Sequence, residues 1–245
     1  MGNFLTLLGA GGPTLVVQTK AIDFDGSTEQ MANTSASFSL AANTVSIWIN
    51  ADVVNSGATE GRFIAFQNSS NQNIMYIQFY QSNWYCIYGV GGASGIIQSG
   101  TPSTATNYNV VLRTDATTGA NAMTLWVNGA SVASATPGAT LSGTVTQVFM
   151  GNGNGSQYYN GRLCRADYWD TNLPDNAVTA IYDSGNGYQL DLRNSKGNYT
   201  QTSNLKHQWL LGYDSASIGY DYVSSGNVDM MANATNISAA DIVNF

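Results

Sequence analysis

Charge is what this sequence has least of. Only 9% of its 245 residues are Asp, Glu, Lys or Arg, against about 25% in an average soluble domain. The eight basic residues are scattered from Lys20 to Lys206 and the net charge is −7, so no basic stripe exists to track a phosphate backbone, which argues against a nucleic-acid partner. Histidine occurs once, at His207, and cysteine twice, at Cys86 and Cys164. A zinc site needs more such ligands. A Ser-His-Asp triad would have to draw on His207, whose setting, LKHQWLLG, is a strand beside Trp209 that suits a packed or rim histidine, and no G-x-S-x-G elbow accompanies it. Two glutamates, Glu29 and Glu60, leave no array of paired carboxylates for glycoside hydrolysis. No apolar run approaches the roughly 20 residues that span a bilayer, so no membrane is expected.

Neutral polar residues stand where Lys and Glu usually do. Asn, Ser, Thr and Gln, with 26 glycines, make a surface that costs less to desolvate than a charged one and suits a large, tight assembly. Six N-x-S/T sequons follow from that composition. The two cysteines lie inside strand-like stretches, NWYCIYGV and GRLCRADYW, where a reduced, buried thiol is the expected state, a disulfide between neighbouring strands being the alternative.

Residues 1–20, MGNFLTLLGAGGPTLVVQTK, have no Lys or Arg before Lys20 and so lack the positive start of a signal peptide. Gly2 and Thr6 fit a loose myristoylation pattern. The plainer expectation is a Gly-rich arm that docks on a neighbour, with Phe4, Leu5, Leu7 and Leu8 as its apolar contacts.

From Ala21 onward short alternating segments rich in β-branched and aromatic residues are separated by Gly, Asn, Ser and Thr clusters. In TVSIWINA, Val45, Ile47 and Ile49 point one way and Ser46, Trp48 and Asn50 the other. In MTLWVNG, the pair Asn128-Gly129 supplies a hairpin turn before ASVASA. GRFIAFQN, NIMYIQFYQ, NWYCIYGV, YNVVLRTD and TQVFMGNG repeat the pattern, which predicts an antiparallel two-sheet sandwich. One stretch reads as helical, LPDNAVTAIYDSG, with Pro174 and Asp175 in its first turn and Gly185 at its stop. The region 186–245 is irregular and polar with one strand candidate, HQWLLGY; it carries no second hydrophobic core by this reading and completes or wraps the same domain. In NGRLCRADYWDTNL, Asn160-Gly161 makes a turn and Leu163 faces the core. Cys164, Ala166 and Tyr168 are expected on one face, with Arg165, Asp167 and Trp169 outward on the other as a contact surface.

Three stretches together resemble the laminin-G-like, concanavalin A-like jelly roll. They are AIDFDGSTEQMANTSASFSLAANTVSIWINAD, with an F-D-G-S turn before a T-h-S-x-W strand; the hairpin MTLWVNGASVASA; and the closing strand and helix YYNGRLCRADYWDTNLPDNAVTAIYDSG. The resemblance covers about residues 21–185. Beyond it, the series GNG, Leu190-Asp191-Leu192, Leu205 to Gly212 (L-x-x-x-W-x-x-G) and S-x-G-N is similar to the continuation of this jelly roll in tailed-bacteriophage virion proteins. Those proteins more often carry an acidic residue directly after that Gly, where this chain has Tyr213 and then Asp214.

The resemblance implies a non-enzymatic virion structural protein, foremost a decoration or cement protein on the outer surface of the head. Its arm would hold the major capsid protein, other virion subunits or a sister subunit, in a homo-oligomer such as a trimer. The alternative is a glycan-binding adhesin of a tail fibre or spike, for which Trp84, Tyr85, Tyr158, Tyr159 and Trp169 are the aromatics to consider, although most aromatics in a sandwich are core. No cofactor is expected. Relatives of this fold often bind calcium through loop oxygens, which here would be Asp25, Asn152, Asn154 and Asn160; the competing reading makes them Asx turns.

Overall fold

The computed structural model describes residues 18–54, 61–89, 95–153, 157–216, 218–223 and 228–245. Within them the chain forms β1 (Lys20–Asp25), β2 (Met31–Asn33), β3 (Phe38–Leu40), β4 (Asn43–Ala51), β5 (Gly61–Gln67), β6 (Asn73–Tyr80), β7 (Asn83–Tyr88) and β8 (Gly95–Ser99). Next come β9 (Asn107–Thr114), β10 (Met123–Val127), β11 (Ala130–Ala135), β12 (Gly143–Val145), β13 (Gln147–Met150) and β14 (Asn160–Trp169). The helix α1 (Asp175–Tyr182), β15 (Leu205–Leu210) and β16 (Ile242–Asn244) complete it.

One sheet runs β11-β10-β9-β4-β14-β1-β16, with β15 also on β14; a second runs β2-β13-β5-β6-β7-β8, and β12 pairs with β3 in a separate two-stranded ribbon. Every pairing is antiparallel, and the two sheets enclose one core that includes Val45, Ile47, Ile49, Phe63, Ile77, Phe79, Leu112 and Leu163. This is the all-β sandwich that the alternating segments predict. The β10–β11 hairpin turns on Asn128 and Gly129, both at positive φ (52° and 73°), as a two-residue turn of this hand requires. A Cβ at Gly129 would stand 2.8 Å from the Tyr182 ring, so the turn also fits under α1.

The outer face of the larger sheet is covered rather than solvated, which corrects the expectation of a coreless tail. α1 and the chain after it build a second apolar layer with Val111, Trp126, Trp169, Val178, Ile181, Leu192, Tyr199 and Leu205. A third group joins Ala21, Trp48 and Cys164 to Tyr182, Tyr188 and Phe245. Trp48, outward by alternation, is thus buried, stacked on Tyr182 with ring centroids 5.9 Å apart. α1 stops earlier than the glycine suggests: Asp183 takes the left-handed conformation (φ 47°) and caps it.

β14 departs from simple alternation because of a bulge. Its register against β4 shifts between Leu163 and Arg165, so two consecutive residues, Cys164 and Arg165, share the outer face. Leu163, Ala166 and Tyr168 point into the main core, whereas Cys164 lies with Trp48 beneath the tail. Both cysteines are free and buried, and burial raises each thiol well above its usual pKa.

The described chain begins at Gln18, whose Nε2 donates to the carbonyls of Lys20, Cys164 and Leu211 at 2.9–3.0 Å. Residues 18–20, assigned from sequence to the arm, therefore belong to the sandwich. Phe4, Leu5, Leu7 and Leu8 lie outside the described residues. At the other end, β15 pairs with β14 and β16 with β1.

Candidate functional site

Arg165, Asp167 and Trp169, expected as an outward contact surface, are buried beneath the tail. The reason is the second apolar layer: the face of β14 that alternation turns outward is the floor on which that layer sits. His207 packs within β15, its ring stacked 5.3 Å from Trp209 and its Nδ1 2.6 Å from Asp221 Oδ2, as a packed histidine does.

The four calcium candidates divide. Asp25 spends both carboxylate oxygens on its own turn, accepting from the Ser27 and Thr28 backbones and hydroxyls at 2.7–2.9 Å. Partial burial opposes its ionisation, but these bonds prevail and hold its pKa far below the ordinary value. Asn160 Nδ2 donates to the Asp25 carbonyl at 3.4 Å. Asn152 donates to Gln30 and accepts from Gly153 and Gln157, and Asn154 lies outside the described residues. This is Asx-turn chemistry. Asp25 and Asn160 do line an open cleft of about 320 Å³ with Asp23, Glu29, Asp52 and Asp241. There, burial, then the charges of Asp52 and Asp241, raise the Asp23 pKa against the pull of Arg162, and burial raises that of Glu29. Among the described residues, no three His, Cys, Asp or Glu side chains are placed to hold a metal ion. Glu29 Oε2 accepts from the Asp25 backbone at 2.6 Å, and Glu60 lies outside the described residues.

The remaining convergent chemistry is on the outer face of the six-stranded sheet, where Arg62, Tyr76, Gln78 and Ile87 are buried and Tyr80, Tyr85, Ile96 and Gln98 reach the surface. Strand register places its side chains in two rows that cross the strands. One row is apolar: Ala32, Phe149, Ala65, Tyr76, Ile87 and Ile96 are successive cross-strand partners, and the first five pack as one cluster. The second row, two residues along β6, β7 and β8 and three along β5 where the register shifts, is polar: Arg62, Gln78, Tyr85 and Gln98 are partners in turn. Neighbouring strands lie about 4.8 Å apart, so each row extends roughly 15–25 Å.

Aromatic and polar groups interlock on this face. The Arg62 guanidinium stands 4.1 Å over the Tyr76 ring, with Nε donating to Gln78 Oε1 at 3.0 Å and Nη1 to the Gly153 carbonyl at 2.9 Å. Tyr85 lies 6.5 Å from Tyr76 and 5.0 Å from Tyr80, centroid to centroid. Gln78 is 0% exposed, yet its Nε2 has no hydrogen-bond partner among the described residues. Of the five aromatics considered from sequence, Tyr85 belongs to this platform. Trp84, Tyr159 and Trp169 are buried, and Tyr158 is half-buried. Tyr76, Gln78, Tyr80 and Arg62 were not singled out, although the alternation of NIMYIQFYQ already sets the first three on one face.

Solved structures share this architecture. A heptameric SAP-like pentraxin from Limulus polyphemus matches with a TM-score of 0.57 at 15% identity, over 77% of this chain and 90% of that one. A protein of Bacteroides ovatus described as carbohydrate-binding matches with a TM-score of 0.62 at 14% identity, over 94% of this chain and 60% of that one. A Trypanosoma rangeli sialidase matches with a TM-score of 0.51 at 14% identity, over 72% of this chain but only 29% of its own. These likenesses are of fold. No curated protein matches the chain in sequence. The family model of the concanavalin A-like lectin/glucanases superfamily, in its laminin G form, matches residues 25–179, well over half of the chain, and with the sandwich described above it assigns the protein: the chain belongs to the concanavalin A-like lectin/glucanase superfamily.

Proposed function

We propose that this protein is a non-catalytic glycan-binding module that engages its ligand on the outer face of the six-stranded sheet. The observation that carries the reading is the pair of rows on that face: an apolar row through Tyr76 and Ile87 beside a polar row through Arg62, Gln78 and Tyr85. A sugar presents C–H patches and hydroxyls on one ring, and a surface that alternates apolar and hydrogen-bonding strips a few ångströms apart meets both. The low surface charge suits a neutral polar ligand. The described fold of the Bacteroides protein and the superfamily lend further support. A non-catalytic role is supported by the glutamate count and by Asp25 being committed to its own turn.

Saturable binding on a glycan array, weakened about two- to tenfold in Tyr76→Ala and Tyr85→Ala, is the expected outcome, since a stacking aromatic is worth about 0.5–1.5 kcal/mol beyond its buried area. Binding unchanged in both variants would refute the assignment of the face.

The setting we propose is the surface of a tailed-phage particle, in a homo-oligomer. It rests on the motif series from Leu190-Asp191-Leu192 to the S-x-G-N segment and on the neutral surface. The glycan-binding role fits a fibre or spike adhesin better than head decoration, because it gives the tyrosine face a purpose. Copy number separates the two: a few copies at the tail are expected, and hundreds arrayed on the head and bound to the major capsid protein would favour decoration.

A further inference from the structure

We propose that the recognised sugar carries an acetamido group and that Gln78 selects it; the inference rests on the glycan-binding reading above. Four residues form a cell on the outer face. Gln78 and Tyr85 are directly opposed, as are Tyr76 and Ile87 one step along. The amide of Gln78 has one sense only. A guanidinium donates and never accepts, so the atom facing Arg62 Nε at 3.0 Å is the carbonyl Oε1. Arg62 is on β5, to one side of β6, and Tyr85 and Ile87 are on β7, to the other; with Oε1 engaged by Arg62, we take Nε2 to serve the β7 side. That donor is buried and has no partner among the described residues, a condition that native interiors rarely tolerate without a ligand or water to meet it.

The chemistry of the missing partner follows from the walls. Nε2 calls for an acceptor. A hydroxyl in that position would bring a proton of its own into a cell walled by Tyr76, Ile87 and the Tyr85 ring, whereas a carbonyl brings none. Beside the carbonyl, the apolar row offers contact to a small alkyl group. An acetamido group has both on one carbon: its oxygen accepts from Gln78 Nε2, its methyl lies against Ile87 and Tyr76, and its N–H, anti to the carbonyl, is directed out of the cell. Tyr85 is half-buried and Gln78 is not exposed, so the proposal requires the Tyr85 ring to turn aside on binding, a rotamer change of a common kind.

The test uses the full chain and immobilised glycans in matched pairs of one linkage and length: N-acetylglucosamine against glucose oligomers, and N-acetylgalactosamine against galactose oligomers. The acetylated member of a pair is expected to bind about tenfold more tightly, the worth of one well-placed hydrogen bond with its methyl contact. Gln78→Glu keeps an acceptor for Arg62 and removes the donor; it is expected to bring the two members within about twofold while leaving the unfolding midpoint in place, and a preference still near tenfold in this variant would remove Gln78 from the selection. Equal binding within every pair by the wild-type protein overturns the selectivity and leaves the glycan reading standing. No binding to any glycan overturns both.

Discussion

Arg165 and Asp167 form a two-pronged ion pair inside the protein, Nε to Oδ2 at 2.7 Å and Nη2 to Oδ1 at 2.9 Å, with side chains 0% and 1% exposed. Arg165 Nη1 continues to the Leu190 carbonyl, and Gln208 Nε2 on β15 donates to Asp167 Oδ1 at 3.3 Å. The pair therefore ties three parts of the chain together: β14, β15 and the segment that covers the larger sheet. Burial raises the Asp167 pKa and Arg165 opposes it, so the carboxylate depends on its partner. Removing one member strands the other charge, at a cost of about 3–5 kcal/mol. Arg165→Leu or Asp167→Leu should lower the denaturant midpoint accordingly, and the double replacement should cost less than the sum of the two. Additive losses in that cycle would mean that the pair acts as two separate contacts.

The two ends of the chain should behave differently on truncation. Removing residues 1–17 leaves Gln18 and its three buried carbonyl partners intact, so a folded sandwich is expected by circular dichroism. Removing 1–20 takes away Gln18 and the start of β1, and should lower the melting temperature markedly. Cutting after residue 185 strips β15, β16 and the cover from Trp48 and Trp169, and an aggregated product is expected. A soluble, cooperatively folding 1–185 fragment would show that the tail is dispensable to the core.

Acid should act on the cleft in two opposed ways. The pKa of Asp25 is lowered below its ordinary 3.8 because hydrogen bonds from the turn outweigh its partial burial. Its stabilisation is present above about pH 4 and is lost as pH falls below that value. The pKa of Asp23 is raised by burial and by Asp52 and Asp241, so its ionised form is a penalty at neutral pH that disappears below about pH 4. Asp23→Asn should thus raise the melting temperature at pH 7 and change little near pH 3, while Asp25→Ala should lower it at pH 7. Melting curves of both variants across pH 3–7 decide this; the same sign of effect for the two at pH 7 would contradict it.

The thiols of Cys86 and Cys164 should be silent toward an aromatic disulfide reagent in the native protein and both react on unfolding, since each is buried and pushed up in pKa. One fast-reacting thiol in native buffer would place a cysteine at the surface.

Much of the fold is legible along the chain because alternation and turn chemistry are local signals. Val45, Ile47 and Ile49 face the core as their spacing predicts, and Asn128-Gly129 makes the predicted hairpin. The face of a strand that alternation calls outward is a different matter. Trp48, Arg165 and Trp169 are on that face, and it is buried because Leu192, Tyr199 and Leu205, isolated in a polar stretch, come together over it only in three dimensions. A bulge then moves Cys164 across, and a bulge has no periodic signature. The candidate site follows the same rule: Tyr76, Gln78 and Tyr80 share a face by spacing, but their neighbours Arg62, Tyr85 and Ile87 come from other strands and are set by register.

Hydrogen exchange of the full chain with and without a glycan that the array identifies tests the central claim most directly. The account predicts slowed exchange in residues 61–67, 73–80 and 83–88, the strands that present Arg62, Tyr76, Gln78 and Tyr85, with the tail cover unchanged. Protection confined to residues 23–29 and 241, at the acidic cleft, would contradict it.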